Sequence, residues 1–213
     1  MRKERFILKI GLIVETSQLF RMPVIEEELR RAAERYGHEV FNYTNDTTYA
    51  KNGLLGAVLL NSGAVDLVVT GCGTGVGAIV AANSFIGVQC GFVADPCDAQ
   101  MVRELNLSNA VAMPFSKDFG NEGILNLRFC FDVLLRPMQV PMYITPETRK
   151  GCEEMKQEMD DLKGVCQTPI AEVIRELDAA YVREALDSPT FQTCFFENCR
   201  DPQLAELIRE KLQ

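Results

Sequence analysis

The chain has 213 residues, 47% hydrophobic and 24% charged, which is enough to bury the core of one substantial globular domain. Its 22 Lys and Arg against 30 Asp and Glu give a net charge of −8. An acidic chain has no positive field to attract nucleic acid or an anionic membrane surface, so we expect neither partner. His38 is the sole histidine, which nearly excludes a zinc site built on histidine.

Cysteine usage and hydropathy bear on the compartment. Eight cysteines are spread along a chain that is too large to need disulfide staples, so free thiols in a reducing compartment are expected. No segment approaches the roughly 18–20 uncharged apolar residues of a membrane helix. The apolar run near the start contains Lys9 and continues as a strand, which is not the pattern of a secretory signal. We therefore expect a cytoplasmic protein.

Strand and helix patterns alternate over the first part of the chain. Short apolar runs predict strands at 9–14, 38–43, 66–70, 88–94 and 109–113. Helical patterns occur from Pro23 to Gly37 and at 49–61, 78–82, 96–105 and 119–135. Because parallel strands need crossover connections, this alternation predicts an α/β fold, a three-layer αβα Rossmann-like parallel five-stranded sheet.

The pattern changes after Pro137, where several prolines indicate an extended linker. Helical patterns follow at 147–162, 169–186 and 201–212, and no strand alternates with them. We predict a core at 1–139 and a helical C-terminal extension at 140–213, packed on the core or on a partner subunit.

A glycine-rich loop follows the third strand and leads into a helix. Its four glycines stand at alternate positions, 71, 73, 75 and 77. Glycines let a backbone turn its N–H groups toward a ligand, and a helix N-terminus favours an anion, either a phosphate or an oxyanion. Cys72 lies inside this loop, where a thiol ionises more readily and can act as a base or nucleophile. Most of the other seven cysteines are interpreted as inert, buried thiols.

The same loop admits a second interpretation. Residues 73–78 fit the looser G-x-G-x-x-A pattern of dinucleotide-binding proteins, and Asp95 lies 20 residues beyond Gly75. That fingerprint normally opens the first βαβ unit, however, whereas this loop follows the third strand. A nicotinamide-dependent enzyme therefore remains a minor alternative.

Four blocks of sequence carry a resemblance to a known family. They are Cys72-Gly73-Thr74-Gly75-Val76-Gly77, Ala81-Ala82-Asn83, Ala94-Asp95-Pro96 and Arg103-Glu104-Leu105-Asn106. With these blocks the chain resembles the ribose-5-phosphate isomerase B and galactose-6-phosphate isomerase family over roughly residues 8–136. The resemblance implies a cofactor-free and metal-free sugar isomerase, acting on a sugar or sugar phosphate. It also implies homodimers or homotetramers whose active sites are shared between subunits.

The resemblance assigns roles to individual residues. Cys72 would be the base that moves a proton between C1 and C2 through a cis-enediolate, and Thr74 would assist proton transfer at the sugar oxygens. Asn106 matches an asparagine that binds a substrate hydroxyl. The end of the first strand and the rest of the loop would complete the substrate site, with Glu15, Thr16, Gly73, Gly75, Val76 and Gly77.

The chain also departs from the family pattern. Glu15-Thr16 replaces the usual Asp-His, and Leu105 stands where the family has the histidine that opens the sugar ring. Arg136 and Arg149 lie in the region of the phosphate-binding arginines without aligning with them. An open-chain, unphosphorylated keto-uronate of the 4-deoxy-5-hexosulose-uronate type would need no ring opening. The alternatives are that another residue replaces the histidine, or that the chain is a non-catalytic partner subunit or sugar-binding protein.

Overall fold

The computed structural model describes residues 7–117, 120–137 and 144–213. Its centre is a five-stranded parallel sheet with the order β2-β1-β3-β5-β4. The strands are β1 (Lys9–Val14), β2 (Glu39–Asn42), β3 (Leu67–Cys72), β4 (Cys90–Phe92) and β5 (Ala110–Pro114). The predicted Rossmann-like αβα fold is thus confirmed, although β4 is shorter than the 88–94 that its apolar run predicted.

Five helices connect and cover the strands. They are α1 (Met22–Tyr36), α2 (Tyr49–Asn61), α3 (Val76–Asn83), α4 (Pro96–Glu104) and α5 (Asn121–Leu135). Local sequence sets their ends: α1 has Pro23 in its first turn and ends at Gly37, which has a φ of 78°. Asp95 caps α4 by accepting the N–H groups of Cys97 and Asp98. The predicted start of the fifth helix, Phe119, lies outside the described residues.

The extension is helical, as expected. Its helices are α6 (Pro146–Cys166), α7 (Ile170–Glu176), α8 (Ala179–Leu186), the single turn α9 (Phe196–Asn198) and α10 (Pro202–Leu212). The segment predicted as one helix at 169–186 is two, because Asp178 caps a new helix by accepting the N–H of Ala180 at 2.8 Å. The helical turn at 191–198 was not predicted. The predicted boundary between 139 and 140 lies outside the described residues.

Two apolar layers enclose the sheet. Helices α1, α4 and α5 cover one face, where Leu29, Phe131 and Val69 are buried together. The other face is covered by α2 and α3 and by the extension, whose Ile174 and Phe191 are buried in the same cluster as Val68. Most of the extension therefore packs on the core of its own chain. Among the described helices, none is both long and apolar enough to span a membrane.

The sheet has a topological switch point between β1 and β3. The chain leaves β1 for helix α1 on one face and leaves β3 for helix α3 on the other. Loops that diverge in this way leave a crevice at the carboxyl ends of the two strands, which is the usual ligand site of open parallel sheets. The segments that begin at Glu15 and Gly73 both enter this crevice.

Candidate active site

Backbone hydrogen bonds hold the glycine loop between its two neighbours. The N–H of Glu15 donates to the carbonyl of Gly71 at 3.1 Å. On the other side, Phe115 N–H donates to the Cys72 carbonyl at 3.0 Å and Ser116 N–H to the Gly73 carbonyl at 2.9 Å. The carboxyl ends of β1, β3 and β5 therefore meet at Cys72.

Two glycines of the loop are required by their surroundings. A Cβ on Gly71 would lie 2.4 Å from both the Met113 carbonyl oxygen and the Phe115 ring. Gly75 has a φ of +75°, in the left-handed region, and a Cβ there would lie 2.7 Å from the Phe92 ring. The loop can thus approach β5 more closely than any side-chain-bearing residue would allow, which fixes Cys72 against the sheet.

The reactive groups of the loop differ in exposure. Cys72 is a free thiol and only 6% exposed. Thr74 is exposed, and its hydroxyl oxygen accepts the N–H of Val76 at 3.3 Å, so its own proton is available for another acceptor. The next N–H groups of α3, beginning with Gly77, belong to a helix N-terminus, where an anion is stabilised. A buried thiol, an exposed hydroxyl and an anion-stabilising helix end occupy one loop.

The residues after β1 hold a second part of the site. Glu15 is 8% exposed and its carboxylate accepts both the N–H and the hydroxyl of Ser17. Thr16 points away from the glycine loop, since its hydroxyl donates to Asp46 and its N–H to the Thr47 carbonyl. Glu15 and Thr16, both predicted to bind substrate, therefore face different surroundings.

A polar cluster beside Gly73 was not predicted from the sequence. Arg21 donates from Nη1 to Gln18 Oε1 at 2.7 Å and to the Phe115 carbonyl at 2.8 Å. Ser116 donates to the same Gln18 oxygen at 3.1 Å. Gln18 and Ser116 flank Gly73: a Cβ on that glycine would lie 3.2 Å from Ser116 Oγ and 3.5 Å from Gln18 Nε2. The signal that could have found them is their position directly after β1 and β5.

Asn106 lies at the opposite, amino-terminal edge of the sheet. Its carbonyl accepts Gln89 Nε2 at 2.6 Å, and Gln89 directly precedes β4. The following residue, Leu107, has a φ of 51°, a strained value for leucine. Within one chain the structure does not bring Asn106 or Leu105 to Cys72.

Three arginines gather near that turn. Arg103 donates to the carbonyl of Arg136, whose guanidinium in turn donates to Gln100 at 3.0 Å. Burial lowers the pKa of Arg103, and the neighbouring charges of Arg136 and Arg149 lower it further, while Glu104 opposes them. A group of like charges held together in this way favours an anionic ligand.

His38 also lies at the amino-terminal edge. Its Nδ1 accepts the N–H of Leu8 at 3.3 Å, and Nε2 is 3.0 Å from the Leu135 carbonyl oxygen. Both ring nitrogens therefore link the start of β1 to the end of α5. The only histidine of the chain is engaged in holding the fold, far from the glycine loop.

Other sequence-derived alternatives can be placed too. The Asp95 carboxylate, which the dinucleotide interpretation needs for a ribose, caps α4 instead. All eight cysteines are free thiols. Among the residues that the structure describes, no group of three or more His, Cys, Asp or Glu side chains is arranged to hold a metal ion.

Comparisons with known proteins agree on the class. Residues 21–123 match the family model for ribose/galactose isomerase, and residues 165–210 match one described as ribose-5-phosphate isomerase. No curated protein matches the chain.

Solved structures extend the match over nearly the whole chain. A 4-deoxy-L-threo-5-hexosulose-uronate ketol-isomerase complexed with a tartrate is 38% identical with a TM-score of 0.90, covering 96% of this chain and 99% of that one. Ribose-5-phosphate isomerase from Vibrio parahaemolyticus is 34% identical with a TM-score of 0.91, covering 97% and 100%. The type B ribose 5-phosphate isomerase of Trypanosoma cruzi, at 16% identity and a TM-score of 0.60, covers 73% and 99% and shares the fold.

The fold, the crevice and the similarity to known isomerases together identify the class of the protein. It is an intramolecular oxidoreductase, namely an aldose–ketose isomerase. The chain belongs to the ribose/galactose isomerase family, in a form with a helical C-terminal extension. The family resemblance of the glycine-loop motif is thereby confirmed.

Proposed function

We propose that the enzyme isomerises an open-chain keto-uronate, with Cys72 as the base. The observation that carries the proposal is the placement of histidine: Leu105 replaces the ring-opening histidine of the family, and His38 is bonded to backbone at the other edge of the sheet. A substrate that is already open needs no such group. The 38% identical ketol-isomerase acts on a substrate of this class.

The proposed chemistry moves two protons and needs no external oxidant or reductant. Cys72, as thiolate, removes the proton from the hydroxyl-bearing carbon beside the carbonyl, and the C–H electron pair forms the enediolate double bond. The first N–H groups of α3 stabilise the developing oxyanion. Thr74 passes a proton between the two oxygens, and the Cys72 thiol returns its proton to the former carbonyl carbon.

We further propose that the site is completed by a second copy of the chain. Next to the glycine loop, α3 exposes Val76 (57%) and Val80 (63%), which a dimer would cover. The long helix α6 adds an exposed apolar stripe at Met155, Met159 and Leu162, four and three residues apart on one face. In a dimer formed through these surfaces, the partner would supply Asn106 and the arginine cluster to the loop of the first chain.

A sugar phosphate is the second candidate substrate. It is favoured by the 34% identical ribose-5-phosphate isomerase, and the three arginines suit a phosphate as well as a carboxylate. Under this alternative, another group of the dimer opens the sugar ring in place of the missing histidine.

The first experiment separates the two substrates and tests the base. Isomerisation of the keto-uronate and of ribose 5-phosphate is measured with wild type, Cys72→Ala and the control Cys166→Ala, an exposed thiol at the end of α6. We expect turnover of the uronate, a loss of about 10²–10⁴-fold in kcat for Cys72→Ala, and none for the control. Wild-type turnover by Cys72→Ala would refute the cysteine mechanism, and turnover of ribose 5-phosphate alone would select the second candidate.

A second experiment tests the shared site. Cys72→Ala and Asn106→Ala are each expected to be inactive, but a mixed dimer would contain one site with both native residues. Mixing equal amounts under conditions that exchange subunits should restore about a quarter of the wild-type activity, since half of the dimers would be mixed, each with one intact site. A mixture that stays inactive although mass spectrometry finds mixed dimers would place both residues in the same chain's site.

A further inference from the structure

Helix α2 carries a buried side-chain amide, that of Asn52. Asn52 is 3% exposed, and neither its Oδ1 nor its Nδ2 has a hydrogen-bond partner among the described residues. Burial removes the hydrogen bonds that an amide makes to water. Each buried donor or acceptor that is left without a new partner costs about 1–3 kcal/mol. An apolar side chain of similar size would avoid that cost, so the presence of an asparagine calls for a reason other than packing.

The position of Asn52 follows from its neighbours on α2. One turn later, Gly56 faces the sheet, since a Cβ there would lie 3.6 Å from Val68 and 3.7 Å from Ile13. Asn52 shares this sheet-facing side of the helix, because residues four apart lie on one face. Helix α2 follows β2 and so starts at the carboxyl edge, which puts Asn52 about 6 Å closer to that edge than Gly56.

The strand residue at this level is Thr70, and Cys72 lies one alternation further toward the crevice. Side chains alternate along a strand, so the residues that follow Val68 on the same side of the sheet are Thr70 and Cys72. The side chains of helical residues lean toward the helix N-terminus, here toward the crevice. With that lean, we expect the Asn52 amide between the levels of Thr70 and Cys72, on the inner side of the glycine loop.

We propose that Asn52 is a positioning residue for Cys72. Its Nδ2 donates, through one buried water, to the Cys72 sulfur, and it holds the thiolate in the orientation from which it takes the substrate proton. A buried water needs two to four polar partners, and the Asn52 amide, the Thr70 hydroxyl and the Cys72 sulfur provide them. This inference rests on the proposed role of Cys72 as the base.

Asn61 provides a matched control in the same helix. It lies at the C-terminal end of α2, and its Nδ2 donates to the carbonyls of Ala57 at 2.8 Å and Ile86 at 2.9 Å. Its hydrogen bonds hold the loop that ends α3, so its removal is expected to weaken the fold. Asn52 and Asn61 are thus two asparagines of one helix. Among the described residues, the Asn52 side chain has no hydrogen-bond partner, whereas the Asn61 amide donates to two carbonyls.

The test compares Asn52→Leu and Asn61→Leu with wild type in the full-length protein, with Asn52→Ala as a smaller change should the leucine disturb packing. Three readouts are taken: the melting temperature, kcat and KM for isomerisation, and the rate at which iodoacetamide alkylates Cys72, followed on its peptide by mass spectrometry. Melting and alkylation need no substrate, so they decide the proposal even if the substrate assignment is wrong.

The expected results are opposite for the two positions. Asn52→Leu should melt at or above the wild-type temperature, yet lose at least about tenfold in kcat with KM nearly unchanged, and Cys72 should be alkylated several-fold more slowly. Asn61→Leu should melt lower and keep kcat and the alkylation rate. Wild-type kcat and alkylation in both Asn52 variants would overturn the proposal and leave Asn52 a structural residue.

Discussion

The two edges of the sheet use polar side chains differently. At the amino-terminal edge His38 is bonded to two backbone groups, and the Asn109 amide accepts the N–H of Gln89 and donates to the Gly87 carbonyl. At the carboxyl edge the Asn52 side chain has no hydrogen-bond partner in the part of the chain that the structure describes, and Thr74 is exposed. Polar side chains that are hydrogen-bonded to the backbone stabilise the fold. Polar side chains without such bonds are available to a ligand or to a reacting group.

The largest effect is expected from Gly75→Ala, at the carboxyl edge. The left-handed φ of +75° and the 2.7 Å approach to the Phe92 ring leave no room for a methyl group, so the loop must shift. We expect a loss of about 1–3 kcal/mol in the free energy of unfolding and of about 10²-fold in kcat/KM, because a small displacement of a base is costly.

The control for that substitution is Gly164→Ala on α6, where a Cβ would meet nothing within 4 Å. Alanine is the better helix former, so this variant should gain stability and keep its activity. Equal kinetics for the two variants would contradict a site at the glycine loop.

An intermediate effect, on stability alone, is expected from His38→Ala at the amino-terminal edge. Removal of the ring leaves the Leu8 N–H and the Leu135 carbonyl without their partner, at a cost of about 1–3 kcal/mol in urea denaturation. His38→Gln, which keeps one donor and one acceptor, should lose less. Because both ring nitrogens of His38 contact backbone atoms, kcat should not change in either variant. A substantial fall in kcat would show that His38 serves the reaction and not the fold.

The smallest effect is expected away from both edges, at Glu28 of α1. Hydrogen bonds from Arg128 lower the pKa of this carboxyl, Arg31 assists, and burial opposes them. A carboxyl with a lowered folded-state pKa stabilises the protein above its unfolded pKa, and that contribution is lost as the pH falls through the folded value. Glu28→Gln should therefore cost a few tenths to about 1 kcal/mol at pH 7, because the arginines are partly solvated, and nothing in strong acid. A difference from wild type that grows toward low pH would contradict this origin.

Much of the fold could be predicted because its signals are local. The apolar runs of β1 and β3, the cap at Asp95 and the terminator at Gly37 each act within a few residues, and the structure confirms them. The division between α7 and α8 was missed, since the apolar pattern continues across it and the Asp178 cap alone interrupts it.

A sequence motif can propose site residues only where one segment carries them. Cys72 and Thr74 lie within the glycine loop, where the motif predicts them, and their roles stay predictions. Gln18 and Ser116 are 98 residues apart and meet only because β1 and β5 flank β3. Asn106 follows helix α4, and its location depends on the edge of the sheet at which that helix ends. A sequence motif does not contain this information.

Phe191 of the extension is buried in the same cluster as Leu54 of α2, and this shared cluster affects how the protein unfolds. The part of the extension from α7 onward and the helix that carries Asn52 share one interior, so neither can open without exposing the apolar surface of the other. We expect a single cooperative melting transition, with no stage at which the helices from α7 onward are released from an intact core. A protease that cut between them would leave fragments that stay associated, and the cleft around Cys72 would keep its shape until both were lost together.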